Sequence, residues 1–220
     1  MNISLTNLSF TKKTFNFFLN KCSNYGYKDI EIAPYLTAKK PFAKKNIYKI
    51  KKLIKKKKIN IVSLQSLFFG KITKNSDEEN YKHFKKIFKF AQMLKIKKVS
   101  LGNAPFRKKN FLGETINVFL KISDIAKKYN IKVCIEPISK KYGNNFLTNH
   151  DQTLKFIKKL NRKNIKLLFD FGNFSEERNK NIELYFKKNI KFIDHVHLRG
   201  KDIKKIKLIN LKKKILFLKT

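Results

Sequence analysis

The feature that most constrains this chain is an alternation of short β-rich runs with longer amphipathic stretches. The runs are ISLTNL (3–8), DIEIAP (29–34), INIVSLQ (59–65), KKVSLG (97–102), IKVCIEP (131–137), NIKLLFD (164–170), FIDHVHL (192–198) and KILFLK (214–219). Between most of them lie helix patterns. In 76–96, Ser76 and Glu79 make a capping box, and Phe84, Ile87, Phe88, Ala91 and Leu94 form an apolar stripe. In 114–130 the stripe is Ile116, Phe119, Leu120, Ser123 and Ala126. Both stripes read as core packing. Eight such units predict a parallel α/β architecture that closes as a (β/α)8 TIM barrel. The spacing shortens after the sixth run, and only the basic link 200–212 separates the last two, so the barrel is expected to have an abbreviated C-terminal end. A doubly wound open sheet is the other fold considered. It lacks support because no Gly-rich turn follows the first run.

The 220 residues fit one domain over 1–220, with length enough for a substantial core. The net charge of +38 raises the question of a polyanion partner. Nearly all of it is Lys, however. Arg occurs only at 107, 162, 178 and 199, whereas recognition of bases and phosphates favours the forked guanidinium. Lys excess alongside abundant Asn, Ile and Phe matches an AT-rich genome, and charge runs are usually solvated faces. No specific nucleic acid is therefore expected. Cys22 and Cys134 lack any partner motif, and neither a signal peptide nor a membrane-spanning run is read from the sequence. A cytoplasmic protein with no membrane partner is the expectation.

In a β/α barrel the working residues sit at the C-terminal ends of the strands. Those positions hold Asn7, Glu31, Gln65, Gly102, Asn103, Glu136, Asp170 and His197. The alternation in FIDHVHLRG also places His195, His197 and Arg199 on one face. Singly, each has an ordinary explanation: Asp170 can begin a turn, Glu136 can pair with a lysine, and His195 can be hydrogen-bonded inside the barrel. Together, a carboxylate, a carboxylate and an imidazole closing three successive apolar runs suit a divalent ion such as Mn²⁺, Mg²⁺ or Zn²⁺. His83 and His150 fall in or near helix patterns and read as structural or surface residues.

The ordered set GYKDIEIAP, VSLQSLFFGK, KKVSLGNAPFRKK, VCIEPISKKYGNNFLTN, KLLFDFGN and DHVHLRG resembles the sugar phosphate isomerase/epimerase family, the xylose isomerase-like TIM barrels. The resemblance spans roughly residues 3 to 200, and its most specific pieces are IEP, FDFGN and HVH in that order. It implies one divalent metal ion (Mn, Mg, Co or Zn) held by Glu136, Asp170 and His197. Glu136 would also be the catalytic base for enolisation next to the carbonyl of a small carbohydrate substrate. It further implies His195 as a neighbour of the metal ligands. Asn145, Gln65 and Glu31 would bind hydroxyls, and Arg199, Lys201 or Arg107 a phosphate or acid group.

Two departures from the family pattern stand out. A fourth ligand, a strand-8 Glu that also serves as the second acid/base group, would fall near Leu218, and no carboxylate follows Asp202. Glu176, Glu177, Glu183 or a partner subunit are the other sources considered for it. Three residues after Asp170, where sugar epimerases of the family often carry His, this chain has Asn173. The reading is thus a metal-dependent isomerase or epimerase. The alternatives are a catalytically decayed barrel with a binding role and an endonuclease IV-like nuclease, for which four histidines are few.

Overall fold

The computed structural model describes residues 3–68, 76–102, 112–177 and 181–200. Among the described residues seven strands form one sheet: β1 (Ser4–Thr6), β2 (Asp29–Ile32), β3 (Asn60–Leu64), β4 (Lys98–Leu101), β5 (Lys132–Ile135), β6 (Ile165–Asp170) and β7 (Ile193–His197). They pair in sequence order, every pair parallel. Helices α1 (Phe15–Asn24), α2 (Lys44–Lys56), α3 (Asp77–Met93), α4 (Leu112–Lys128) and α5 (His150–Leu160) occupy the crossovers. A one-turn helix α6 (Phe171–Phe174) and α7 (Ile182–Asn189) lie between β6 and β7. Each strand lies within its predicted run. The eighth run, Leu218 included, is outside the described residues, as are Asn103, Arg107 and Lys201.

The helices begin where the side chains dictate. Ser76 Oγ accepts from the Glu79 amide at 3.3 Å and Glu79 Oε2 accepts from the Ser76 amide at 3.2 Å, which is the predicted capping box. Asn149 and Asn181 cap α5 and α7 with a single side-chain bond each, to the amides of Gln152 and Leu184. The α3 stripe is buried as predicted. On α4 the buried face is rotated from the predicted one. Val118, Ile122 and Ile125 join Phe119, Ser123 and Ala126 in the core, while Ile116 and Leu120 are only half-buried. Lysines on α2 point to solvent, with Ile47 and Ile50 turned inward. No described helix is long and apolar enough to cross a membrane.

Strands buried on both faces sort their residues by period two. Ile30 and Ile32, Val99 and Leu101, Val133 and Ile135 take the helix-facing side and join the main core. The residues between them, Glu31, Ser100 and Cys134, are therefore left to the interior. Branched apolar side chains usually fill a barrel interior; here it is polar. His195 and His197 on β7 reach Glu31 on β2, and Asp194 on β7 reaches Lys98 on β4 and Lys132 on β5. Such contacts between distant members of one sheet require it to curl into a barrel wall.

Two register shifts tune that interior. Ile30 pairs with Ile61 but Glu31 with Ser63, leaving Val62 as the extra residue. Leu167 pairs with Ile193 but Leu168 with His195, leaving Asp194 extra. A bulge re-aims side chains, and here the residues it aims are Ser63 and His195.

Candidate metal centre

The floor of the barrel is an ion cluster. Asp194 accepts from Lys132 Nζ at 2.5 Å and pairs with Lys98 at 3.2 Å. Burial alone would raise the Asp194 pKa; the hydrogen bond from Lys132 and the charge of Lys98 outweigh it and hold the carboxyl below its usual range. Cys134, buried nearby, has its thiol pushed up to about 12, first by burial and then by the Asp194 charge. It is a free thiol, as is Cys22.

Above the floor sits Glu31, 4% exposed. Its Oε1 accepts from Ser63 Oγ, from Ser100 Oγ at 2.9 Å and from His195 Nε2 at 3.1 Å, and its Oε2 lies 3.0 Å from His197 Nε2. A buried carboxylate left unpaired costs several kcal/mol; this one has four side chains directed at it. Burial would raise its pKa, but the charge of His197 and the hydrogen bonds of both histidines prevail and hold it well below the usual range. Burial likewise opposes the charged form of His197, yet Glu31 and Glu136 hold that ring well above its ordinary pKa.

The mouth holds Glu136, Asp170 and His197. His197 Nδ1 is 3.7 Å from Glu136 Oε1 and 4.0 Å from Asp170 Oδ2. Asp170 ends β6 and is fully buried; its Oδ1 accepts from the Asn173 amide at 2.6 Å, capping α6. Its Oδ2 accepts from Arg199 Nε at 2.9 Å. Burial first, and the Glu136 charge next, push the Asp170 carboxyl up despite Arg199. Glu136 retains 18% side-chain exposure. Its room depends on Gly102, where a Cβ would stand 2.7 Å from Glu136 Oε2. Gly172 makes space for Arg199 in the same way, since a Cβ there would meet Arg199 Cγ at 2.7 Å and the Gly200 carbonyl at 2.8 Å.

These residues fit a divalent ion. Two carboxylates and an imidazole offer ligand atoms within 4.8 Å of one another. Donors about 2.0–2.2 Å from one ion lie roughly 3–3.5 Å apart, so the gaps from His197 to the two carboxylates need close by about 0.2–1 Å. Glu31, His195 and His197 form a second such group, whose facing atoms are already joined in hydrogen bonds.

The other candidate residues are dispersed. Asn173 faces the mouth, with Nδ2 donating to the Pro137 carbonyl at 2.7 Å and Oδ1 accepting from Arg199 Nη2. Gln65 is buried against β1 through Thr6 Oγ1. Asn145 is exposed on the loop after β5. Of the carboxylates considered for the fourth position, Glu176 pairs with Lys141 at 2.6 Å, Glu183 with Lys187 at 2.8 Å and Glu177 with His150 Nδ1 at 2.6 Å. None joins a metal-type group among the described residues. The sequence reading missed what His150 does: its Nε2 accepts from the Asp170 amide at 3.3 Å, so Glu177 and His150 buttress the end of β6. His83, half-buried, meets the Leu67 carbonyl at 2.8 Å, beside Tyr35 and Phe68.

Comparison with known proteins agrees with the architecture. No curated protein matches the chain. Among solved structures, a D-tagatose 3-epimerase-like protein is similar at 19% identity and a TM-score of 0.75, covering 100% of this chain and 86% of that one. IolI with a bound zinc atom is 20% identical with a TM-score of 0.71, over 100% and 84% of the two chains. An AP endonuclease, family 2, from Brucella melitensis is 13% identical with a TM-score of 0.77, over 99% and 88%. At these identities the likeness is one of fold, and it spans different chemistries. A family model described as the xylose isomerase-like TIM barrel matches residues 19–207, and the chain belongs to that family.

Proposed function

We propose that this protein is a metal-dependent isomerase or epimerase of a small carbohydrate, working by proton transfer next to a carbonyl. The observation that carries the reading is the convergence of Glu136, Asp170 and His197 at the ends of β5, β6 and β7. They would hold the ion, which when bound supplies a Lewis acid for a substrate oxygen. Asp170 is fully buried with both oxygens engaged, so it can orient but has little access to substrate. Glu136 has a reachable edge and is the carboxylate that can take a proton from carbon. The epimerase-like relative and the zinc in IolI support this direction.

The test is metal titration of the purified protein together with solvent-deuterium incorporation into a panel of ketoses and keto-sugars. Stoichiometric binding of Mn²⁺ or Zn²⁺, lost in Glu136→Gln and His197→Ala, with exchange reduced about a hundredfold or more in Glu136→Gln, supports it. Absence of metal binding by the wild type rejects it. One observation favours a second reading: Arg199 already supplies a positive charge to Asp170 Oδ2. A metal-free barrel that binds a ligand would show this arrangement too, and the same titration separates the two.

A further inference from the structure

Glu31 accepts from four side chains, and proton abstraction at the mouth makes no use of it. Its two oxygens divide the work. Oε1 collects Ser63, Ser100 and His195, whereas Oε2 meets only His197 Nε2, at 3.0 Å, among the hydrogen bonds above. The His195 and His197 rings pack edge to face at 5.1 Å, so each limits the other's rotation. An imidazole has two nitrogens, and a carboxylate on one of them fixes both the tautomer and the direction of the other.

We propose that Glu31 is a positioning residue for the mouth: it keeps the proton of His197 on Nε2 and so presents Nδ1 to Glu136 and Asp170. The inference rests on the proposed function only for what Nδ1 is presented to. The ring orientation itself stands on the contacts within the barrel.

The arrangement demands a carboxylate. Three donors crowd Oε1, so a glutamine at this position must turn its amide oxygen to them. Its NH2 then faces His197 Nε2, which can accept that bond only by giving up its proton. When an ion displaces one proton from the wild-type ring, Nε2 keeps its own against Glu31. In the glutamine variant the neutral ring holds its single proton on Nδ1, facing the two carboxylates, and an ion can take that place only if the amide's bond to Nε2 is given up.

The experiment is long-range 1H–15N spectroscopy of the imidazoles in the metal-free protein, with Mn²⁺ and Zn²⁺ titrations alongside. In the wild type His197 Nε2 is protonated. In Glu31→Gln it becomes a bare acceptor, metal affinity falls about 10–100-fold, and far-ultraviolet circular dichroism is unchanged. A protonated Nε2 with unchanged affinity in Glu31→Gln overturns the proposal. If that variant does not fold, the double variant Ser63→Ala/Ser100→Ala loosens Glu31 without altering either histidine. It should lower affinity severalfold, and no change there overturns the proposal equally. A wild type that takes up no metal rejects the proposed function, while the nitrogen spectra still decide the role of Glu31.

Discussion

Glu31 and Asp170 are both buried carboxylates inside this barrel, and their neighbours set them apart. Glu31 lies among two serines and two histidines, and its charge is so well answered that its pKa falls. Asp170 is at least as buried and has Arg199 against it, yet its pKa rises, through burial first and then through the Glu136 charge that shares its space. Burial penalises both alike; the neighbours decide the sign. The lower layer is electrostatically complete. At the mouth Glu136 and Asp170 crowd one point beside Arg199 and His197, and a cation between the two carboxylates would relieve their repulsion.

The largest effect expected from breaking this contrast is at Glu31. Glu31→Ala leaves two imidazoles and two hydroxyls without their acceptor and should cost about 3–5 kcal/mol in urea unfolding of the metal-free protein. The same measurement on Glu136→Gln should show a much smaller change, because the repulsion it relieves at Asp170 offsets the attraction it gives up at His197. Equal losses in the two variants would erase the distinction between the layers. A middle-sized effect is expected at Gly102. Gly102→Ala puts a methyl 2.7 Å from Glu136 Oε2, closer than the two can stand. Since that oxygen ends a flexible side chain, the fold should keep its melting temperature while metal affinity drops about tenfold, or about 1.4 kcal/mol.

The smallest effect lies at the floor. Asp194 has a lowered folded-state pKa, so its ion pairs stabilise the protein above the unfolded value of about 3.9 and fade as pH falls through the folded one. Wild-type stability should therefore fall more steeply below about pH 4 than that of Asp194→Asn, as followed by urea midpoints. Parallel curves would show that Lys98 and Lys132 contribute nothing there.

Much of the architecture was legible because parallel strands and amphipathic helices write their periods directly into the chain. The strand runs and the Ser76 cap were readable for that reason. The rotated face of α4 was not, because Ile116 and Val118 are equally apolar and only tertiary packing chooses between them. At the site, Glu136, Asp170 and His197 stood out as polar residues closing apolar runs, and the fold brings the three together. The partners of Glu31 were hidden by two bulges and by the curl of the sheet, neither of which leaves a local signal. The roles of Gly102 and Gly172 were hidden too, since a residue that matters by the space it leaves has no pattern of its own. His150 read as structural, but nothing in its surroundings announced that it supports the amide of Asp170.

Asp170 has one oxygen bound to the first turn of α6 and the other to Arg199, with its own amide held by His150. Such a side chain has little rotational freedom left to lose when something binds beside it. It acts with the His197 ring, held by Glu31 and His195, as a fixed ruler against which the flexible Glu136 side chain closes. A site built on two fixed edges discriminates by size more than by charge, so ions of equal charge and different radius should be sorted by how far Glu136 can travel.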